Sequence, residues 1–392
     1  MTRRSVLRAL AAASLTLSAC RDGGTPDDSP PPPDPTPTPP LHSVPAWQVE
    51  ARDALERAVA WLLAAQSPDG RWRSSTYGFF KDGQSLTPFV LDCLLDAPLG
   101  GITLSPAPVG RGLGAVLGLV DADGRIGFSG SAPDYPVYAT GLALSCLGRL
   151  RPEGWSEAAT PLISWLRSQQ FSGADWRAHP ALGGFPMGWS TAPTAPDAGH
   201  VDLSMTRRAL EGLRAVDVAP GDPVFRLAFR FVMRARTDDG GFVYSPVEPQ
   251  LNKGARIGGL ETPSASYGTA TCDGLLALRA VSPGDIGADH AARPEVAPAL
   301  ARLQAIHRVD VNPGVLGGPM EPFAAAMRGY YRAASSRVFH LFGVDGWHEE
   351  LVRAVLAEET DGRWQNPSNL QKEDDPIVAT AFAVRALARC LA

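Results

Sequence analysis

The sequence predicts an all-α chain in which six helical hairpins close into a ring, an α/α toroid with inner and outer layers of helices. Three observations carry this. From about residue 48 onward apolar residues recur at helical spacing, and almost no stretch alternates as a strand would. A turn followed by an aromatic recurs, as SPDGRW at 67–72, TDDGGF at 237–242 and ETDGRW at 359–364, with weaker copies DADGRI at 121–126 and FSGADW at 171–176. Each turn follows a helix-like apolar stretch and precedes, after a loop, a second helix that is apolar nearly all round, the pattern of an element buried on more than one side.

Before the repeats the chain reads as an address. MTRRSVLRALAAASLTLSAC opens with Arg3, Arg4 and Arg8 and continues in an apolar stretch from Ala9 to Ala19, too short and too rich in Ala and Ser to span a bilayer. TRRSVLR resembles a twin-arginine export signal, and LSAC resembles a lipobox, in which Cys20 is diacylated and becomes the mature N-terminus. These resemblances make 1–19 a signal peptide and imply an exported, membrane-anchored lipoprotein. Arg21, where Asp favours inner-membrane retention, points to the outer membrane or cell surface. Residues 20–47 continue in a polar, Pro-rich run that cannot bury a core and reads as an extended tether. Residues 48–392 form the ring.

The units follow in order. RAVAWLLAAQ leads through SPDGRW to TPFVLDCLL, and DADGRI leads to YATGLALSCLGRL. LISWLRSQQ leads to LSMTRRALEGLRAV, and VFRLAFRFVMRA leads through TDDGGF to YGTATCDGLLALRAV. PALARLQAI and the helix through GYYRAASSRVFHLFG form a fifth unit without a clear Asp-Gly turn, and ETDGRW with IVATAFAVRALARCL forms the sixth. Closure has a physical motive, since an open solenoid, the structural alternative, leaves apolar faces at both ends.

The stretch R-A-x-x-W-L-x-x-x-Q-x-x-x-G-x-W at 57–72 closely resembles the QW motif of squalene and oxidosqualene cyclases, a family whose repeats also occur in protein prenyltransferase β-subunits. The resemblance covers the chain after the tether as weak repeats around this one near-perfect copy. It implies that Gln66 and Trp72 cap one outer helix, that Gln170 and Trp176 cap another, and that Trp364 fills the same slot in the last unit. This signal concerns fold more than function.

In such a ring the N-terminal ends of the inner helices surround a central cavity, with backbone N–H groups and positive dipole ends directed at it. Glu373, Asp374 and Asp375 stand just before Pro376 at one such end. They resemble the D-x-D-D-T-A motif of cyclases, which implies Asp374 as the acid that protonates an alkene or epoxide. Lys372 and Pro376 depart from that motif, and the alternative is that Asp375 is an N-cap whose neighbours complement the dipole. His200 and Asp202 precede another inner helix, either as an acid–base or ligand pair or as a loop residue beside a cap supplied by Asp202 or Ser204.

Prenyltransferase β-subunits bind zinc through Asp, Cys and His at inner-helix starts. Cys272 and Asp273 fall in the corresponding unit, but no matching His follows in the last one, so neither metal nor cofactor is expected. Cys93, Cys146, Cys272 and Cys390 lie on apolar helices and read as small buried hydrophobes, without a disulfide framework. Tyr135, Tyr138, Tyr267, Tyr330 and Tyr331 cluster near the helix starts as candidate cavity lining, where aromatic faces stabilise cations. The loop 245–266 is long enough to cover a cavity and bring Lys253 and Arg256 to an anionic ligand.

A formal net charge of -5 and a pI near 5.8, with no Lys/Arg run, exclude a nucleic-acid partner. Three readings stay open. One is a toroid that binds, and as an enzyme transforms, an apolar, isoprenoid-like ligand. Another is a non-catalytic envelope binding or scaffold protein. The third is a glycan-active toroid enzyme, which needs its carboxylates to converge.

Overall fold

The computed structural model describes residues 44–392 apart from 130–132, 190–193, 256–263, 283–287 and 316. The signal peptide, Cys20 and most of the tether lie outside the described residues, as does Arg256. The chain divides after Ser43, and everything below concerns the unit from Val44 onward.

Six inner helices, α2 (Leu86–Leu94), α4 (Pro136–Leu150), α6 (Leu203–Ala215), α8 (Gly268–Val281), α12 (Arg328–Phe342) and α14 (Pro376–Cys390), pack each against the next. α14 returns to pack on α2 and closes the ring, which excludes the open solenoid. Six outer helices cover the seams: α1 (Ala46–Ala64), α3 (Pro106–Leu117), α5 (Trp155–Ser168), α7 (Pro223–Arg234), α10 (Ala297–Ile306) and α13 (His348–Leu356). Two short helices, α9 (Ala288–Ala291) and α11 (Pro322–Ala326), interrupt the fifth unit. α1 starts at Ala46, two residues ahead of the boundary expected at 48. No helix among the described residues is long and apolar enough to cross a membrane.

The two layers differ as their sequences do. α7 buries Val224, Ala228, Phe231 and Val232 on one stripe and leaves Arg226, Phe229 and Arg230 to solvent. α8 and α14 are buried along nearly their whole length, because each has an inner neighbour on both sides and outer helices behind. Proline opens α3, α4, α7 and α14 at the first helical position, where its missing N–H costs nothing.

The recurring turn splices one outer helix to the next. Trp72 Nε1 donates to Leu62 O at 2.7 Å, and Trp364 Nε1 to Val355 O at 2.7 Å, each binding a carbonyl in the last turn of an outer helix. Gln66 Nε2 donates to Gly70 O (3.1 Å) and to Pro108 O (3.0 Å) in the first turn of α3. Gly70 holds φ at +85°, and a Cβ there would sit 2.3 Å from Arg111 O of α3. In the last turn a Cβ on Gly362 would meet Arg57 O at 3.0 Å, so the sixth splice lands on α1.

The third unit departs from the expected register. Gln170 Nε2 donates to Gly183 O (3.0 Å) and to Val224 O (2.8 Å) in the first turn of α7, so Gly183, not Gly173, is the turn glycine, and Phe185 takes the aromatic slot. Trp176 belongs to an insertion at 171–182 and packs edge-on against Phe171, with ring centroids 4.6 Å apart. A further repeat completes the splice. A threonine near the start of an inner helix accepts the N–H of the post-turn residue, in the pairs Thr87–Trp72, Thr206–Phe185, Thr271–Phe242 and Thr380–Trp364, at 3.1–3.2 Å.

At the other end of the ring Arg385 of α14 donates to Asp92 Oδ2 (2.6 Å) of α2 and to Asp96 Oδ2 (2.8 Å) just after it. Arg149 of α4 reaches the same two carboxylates at 3.2 and 2.8 Å. Burial alone would raise Asp92, but Arg385, Arg149 and Arg208 hold it well below the usual carboxylate range.

Candidate functional site

The inner helices all start at one end of the ring, and there they surround a cavity of about 230 Å³. Their N-terminal N–H groups do not serve it, contrary to the expectation from sequence. Asp134 Oδ2 accepts from Ser85 N at the start of α2, and Met187 O accepts from Val137 N of α4. Asp202 Oδ1 accepts from Met205 N of α6, and Asn312 Oδ1 from Thr269 N of α8. Glu373 accepts from Gly329 N and Tyr330 N of α12, and Asp375 Oδ1 from Ile377 N and Val378 N of α14. With these donors used, the side chains set the chemistry of the cavity.

Aromatic rings form the largest group among those side chains. Tyr135, Tyr138, Tyr244, Tyr267 and Tyr330 line the cavity, with Phe80, Phe89 and Phe382. Phe382 is the hub, edge-on to Phe89 at 5.1 Å and stacked on Tyr330 at 5.5 Å. Two cations reach the lining from loops. Lys253 Nζ lies 4.9 Å from the Tyr244 ring, and burial lowers its proton affinity. Lys372 Nζ donates to Tyr135 Oη at 2.8 Å.

One buried carboxylate is free of backbone. Asp273 of α8 lines the cavity, 2 % exposed, and both its oxygens lie 2.7 Å from Tyr330 Oη. Arg207 Nε stands 3.1 Å behind it, and Ser204 Oγ lies 3.2 Å from the same Tyr330 hydroxyl. Burial raises the Asp273 carboxyl above its ordinary value, with Arg207 and Tyr330 acting against it. Glu373 also lines the cavity, and burial pushes it up to about 7 against the N–H donors of Tyr330, Asn366 and Gly329.

The residues singled out from sequence distribute as follows. Tyr138, Tyr267 and Tyr330 line the cavity. Tyr331 does not, because it points to the opposite side of α12, fully buried with its hydroxyl 2.7 Å from His307 Nδ1. Asp374 lies outside the lining, and its carboxylate accepts from Tyr77 Oη. Asp375 caps α14 and accepts from Ser74 Oγ, so of the acidic run only Glu373 faces inward.

His200 and Asp202 do meet, with Nε2 to Oδ2 at 3.1 Å, while Glu248 Oε2 lies 2.8 Å from Nδ1. This cluster sits behind the cavity wall and touches it through Tyr244 Oη, 2.9 Å from His200 Nε2. The hydrogen bond to Asp202, with Glu248, raises His200 against burial. Cys272 packs in the core one residue from Asp273, and the four described cysteines are free. No cluster of three or more metal-ligating side chains occurs among the described residues.

Asp273 was weighed from the sequence only as a zinc ligand, and its partner Arg207 was missed. For Asp273 the signal was available, since it is the one acid in an otherwise apolar inner helix; Arg207 sits beside Arg208, Glu211 and Arg214 and gave no such signal.

No family model and no curated protein matches the chain. Solved structures do. The type II terpene cyclase MstE from Scytonema, without ligand, superposes with a TM-score of 0.51 at 15% identity, over 87% of this chain and 98% of that one. An MstE variant in complex with geranylgeranyl dihydroxybenzoate gives 0.54 at 13%, over 88% and 98%. A glycosidase variant in complex with glucose gives 0.55 at 12%, over 89% and 99%. An inactive α-1,6-mannanase variant of Salegentibacter sp. HEL1_6, in complex with α-1,6-mannotriose, gives 0.53 at 10%, over 88% and 99%. At these identities the likeness is one of fold: the chain is a terpenoid cyclase-like α/α toroid, an architecture shared with glycan-active enzymes.

Proposed function

We propose that this chain is an exported, lipid-anchored toroid protein that holds an apolar, isoprenoid-like ligand in the aromatic cavity. One observation carries the reading: eight aromatic rings surround one buried carboxylate, Asp273, that is held by side chains alone, in a cavity whose helix N-termini are already capped. An apolar chain fits against Phe89, Met205, Val378 and Phe382, and the tyrosine and phenylalanine faces suit any positive charge that develops along it. A hydroxyl or phenol at one end of the ligand finds Asp273, Tyr330 and Ser204 as partners. Burial also shifts Asp273 towards its neutral form, against Arg207 and Tyr330, which is the direction a proton donor requires. The export and anchoring parts of the proposal rest on the TRRSVLR and LSAC stretches and the Pro-rich run behind them.

The glycan-active alternative draws support from the mannanase and glycosidase neighbours. It is the weaker reading here, because glycoside hydrolysis needs two working carboxyl groups. The second one in this cavity, Glu373, is committed to Gly329 N, Tyr330 N and Asn366 Nδ2.

The test is organic extraction and mass spectrometry of the full-length chain purified from its own envelope. An isoprenoid or comparable lipid should co-purify, and its retention should fall about tenfold in Asp273→Asn, the loss expected for one hydrogen bond. A chain that emerges with a bound oligosaccharide, or with no apolar ligand, refutes the proposal.

A further inference from the structure

The end of the ring where the inner helices finish holds a second cavity, of about 570 Å³. Its walls carry Arg149, Arg214, Arg279, Arg337, Arg385 and Arg389 against Asp92, Asp96 and Glu211, a formal excess of three positive charges. Each carboxylate is already shared. Asp92 meets Arg149 and Arg385, Asp96 meets Arg149, Arg385 and Arg389, and Glu211 meets Arg208 and Arg337. Arg214 is half-buried with its guanidinium 5.7 Å from the Phe225 ring. The surplus registers on Arg337, which burial and the nearby Arg385 and Arg389 push down to about 10 despite its contact with Glu211.

The basin does not stand alone. An apolar groove of about 670 Å³, lined by Ile102, Leu104, Val109, Leu113 and Leu150, runs beside it. Leu95 and Pro98 line both spaces, so the two adjoin. A concave site rich in arginine suits an anion with several oxygens, because the planar guanidinium donates in pairs to phosphate or carboxylate. A groove adjoining it suits a hydrocarbon chain, each buried methylene of which strengthens binding about fourfold.

We propose that this end of the ring binds an amphiphile, with a phosphate-type head group seated among the arginines and its apolar chain laid in the groove. The site is separate from the aromatic cavity and does not depend on the reading given for it.

The full-length chain is titrated calorimetrically with decyl phosphate below its micellar range, with inorganic phosphate and with decanol. Decyl phosphate is expected to bind one to one, about tenfold or more tighter than either of the others, and to weaken as NaCl is added. Arg214→Gln and Ile102→Ser, one in each half of the site and both at half-buried positions, should each cost about tenfold in that affinity while the fold, read by circular dichroism, is retained. Equal affinity for decyl phosphate and decanol overturns the proposal, because the arginines then serve only as counter-charge to the negative ends of six helices. Equal affinity for phosphate and decyl phosphate overturns it too, making the basin a site for free phosphate. So does wild-type affinity in both variants.

Discussion

Glu373 takes three N–H donors on its two carboxylate oxygens, yet burial pushes its proton affinity up to about 7. Unfolded, the same group titrates near 4.5. Between those values the folded chain binds more protons than the unfolded one, so stability declines as pH rises through the window and levels off above it. Thermal midpoints measured from pH 4.5 to 7 should show this decline in the native chain and lose that component in Glu373→Gln; an identical slope in both refutes it. The acidic run before Pro376 was visible in the sequence, but the direction of each side chain was not. Lys372 adopts φ +62°, Asp375 turns onto the N–H groups of α14, and Asp374 is left to face Tyr77. Only the folded neighbours decide such a sorting. Asp273 was more legible than Asp374, since an isolated acid in an apolar helix has to find a buried partner.

At the level of the helical hairpin, the splice makes the repeat. Trp72→Phe keeps an aromatic ring in place but leaves Leu62 O, otherwise met by Trp72 Nε1, without its donor. The cost should be about 1–3 kcal/mol of unfolding free energy by denaturant titration. A variant as stable as the native chain would mean that the ring alone matters. Six hairpins could be read from the sequence because each element of the splice has its own chemistry: a glycine where φ is positive, a glutamine amide, an indole. The third unit could not be registered, because its insertion at 171–182 carries a Gly and a Trp of its own at similar spacing. The threonines were overlooked although all but one of the second helices quoted from the sequence contain one, since a hydroxyl in an apolar helix reads as tolerated rather than as an acceptor.

Across the whole ring, the join between α14 and α2 has no loop to enforce it. Arg385, 3 % exposed, bridges Asp92 and Asp96 across sequence separations of 293 and 289 residues. Arg385→Met removes one charge from a buried cluster and leaves two carboxylates short of a partner, which should cost about 3–5 kcal/mol. Equilibrium unfolding would show it, and a cost below about 1 kcal/mol, the level of an exposed ion pair, would mean that Arg149 and Arg389 suffice. The dependence of the ring on α14 also sets a timetable. While the chain is being synthesised, five hairpins stand with α2 and α12 uncovered on their outward edges, and neither edge is sealed until residues 376–390 have left the ribosome. A cell therefore handles an unclosed arc for most of translation, and whatever holds that arc, chaperone or protease, acts before the last fifteen-residue helix arrives to lock it.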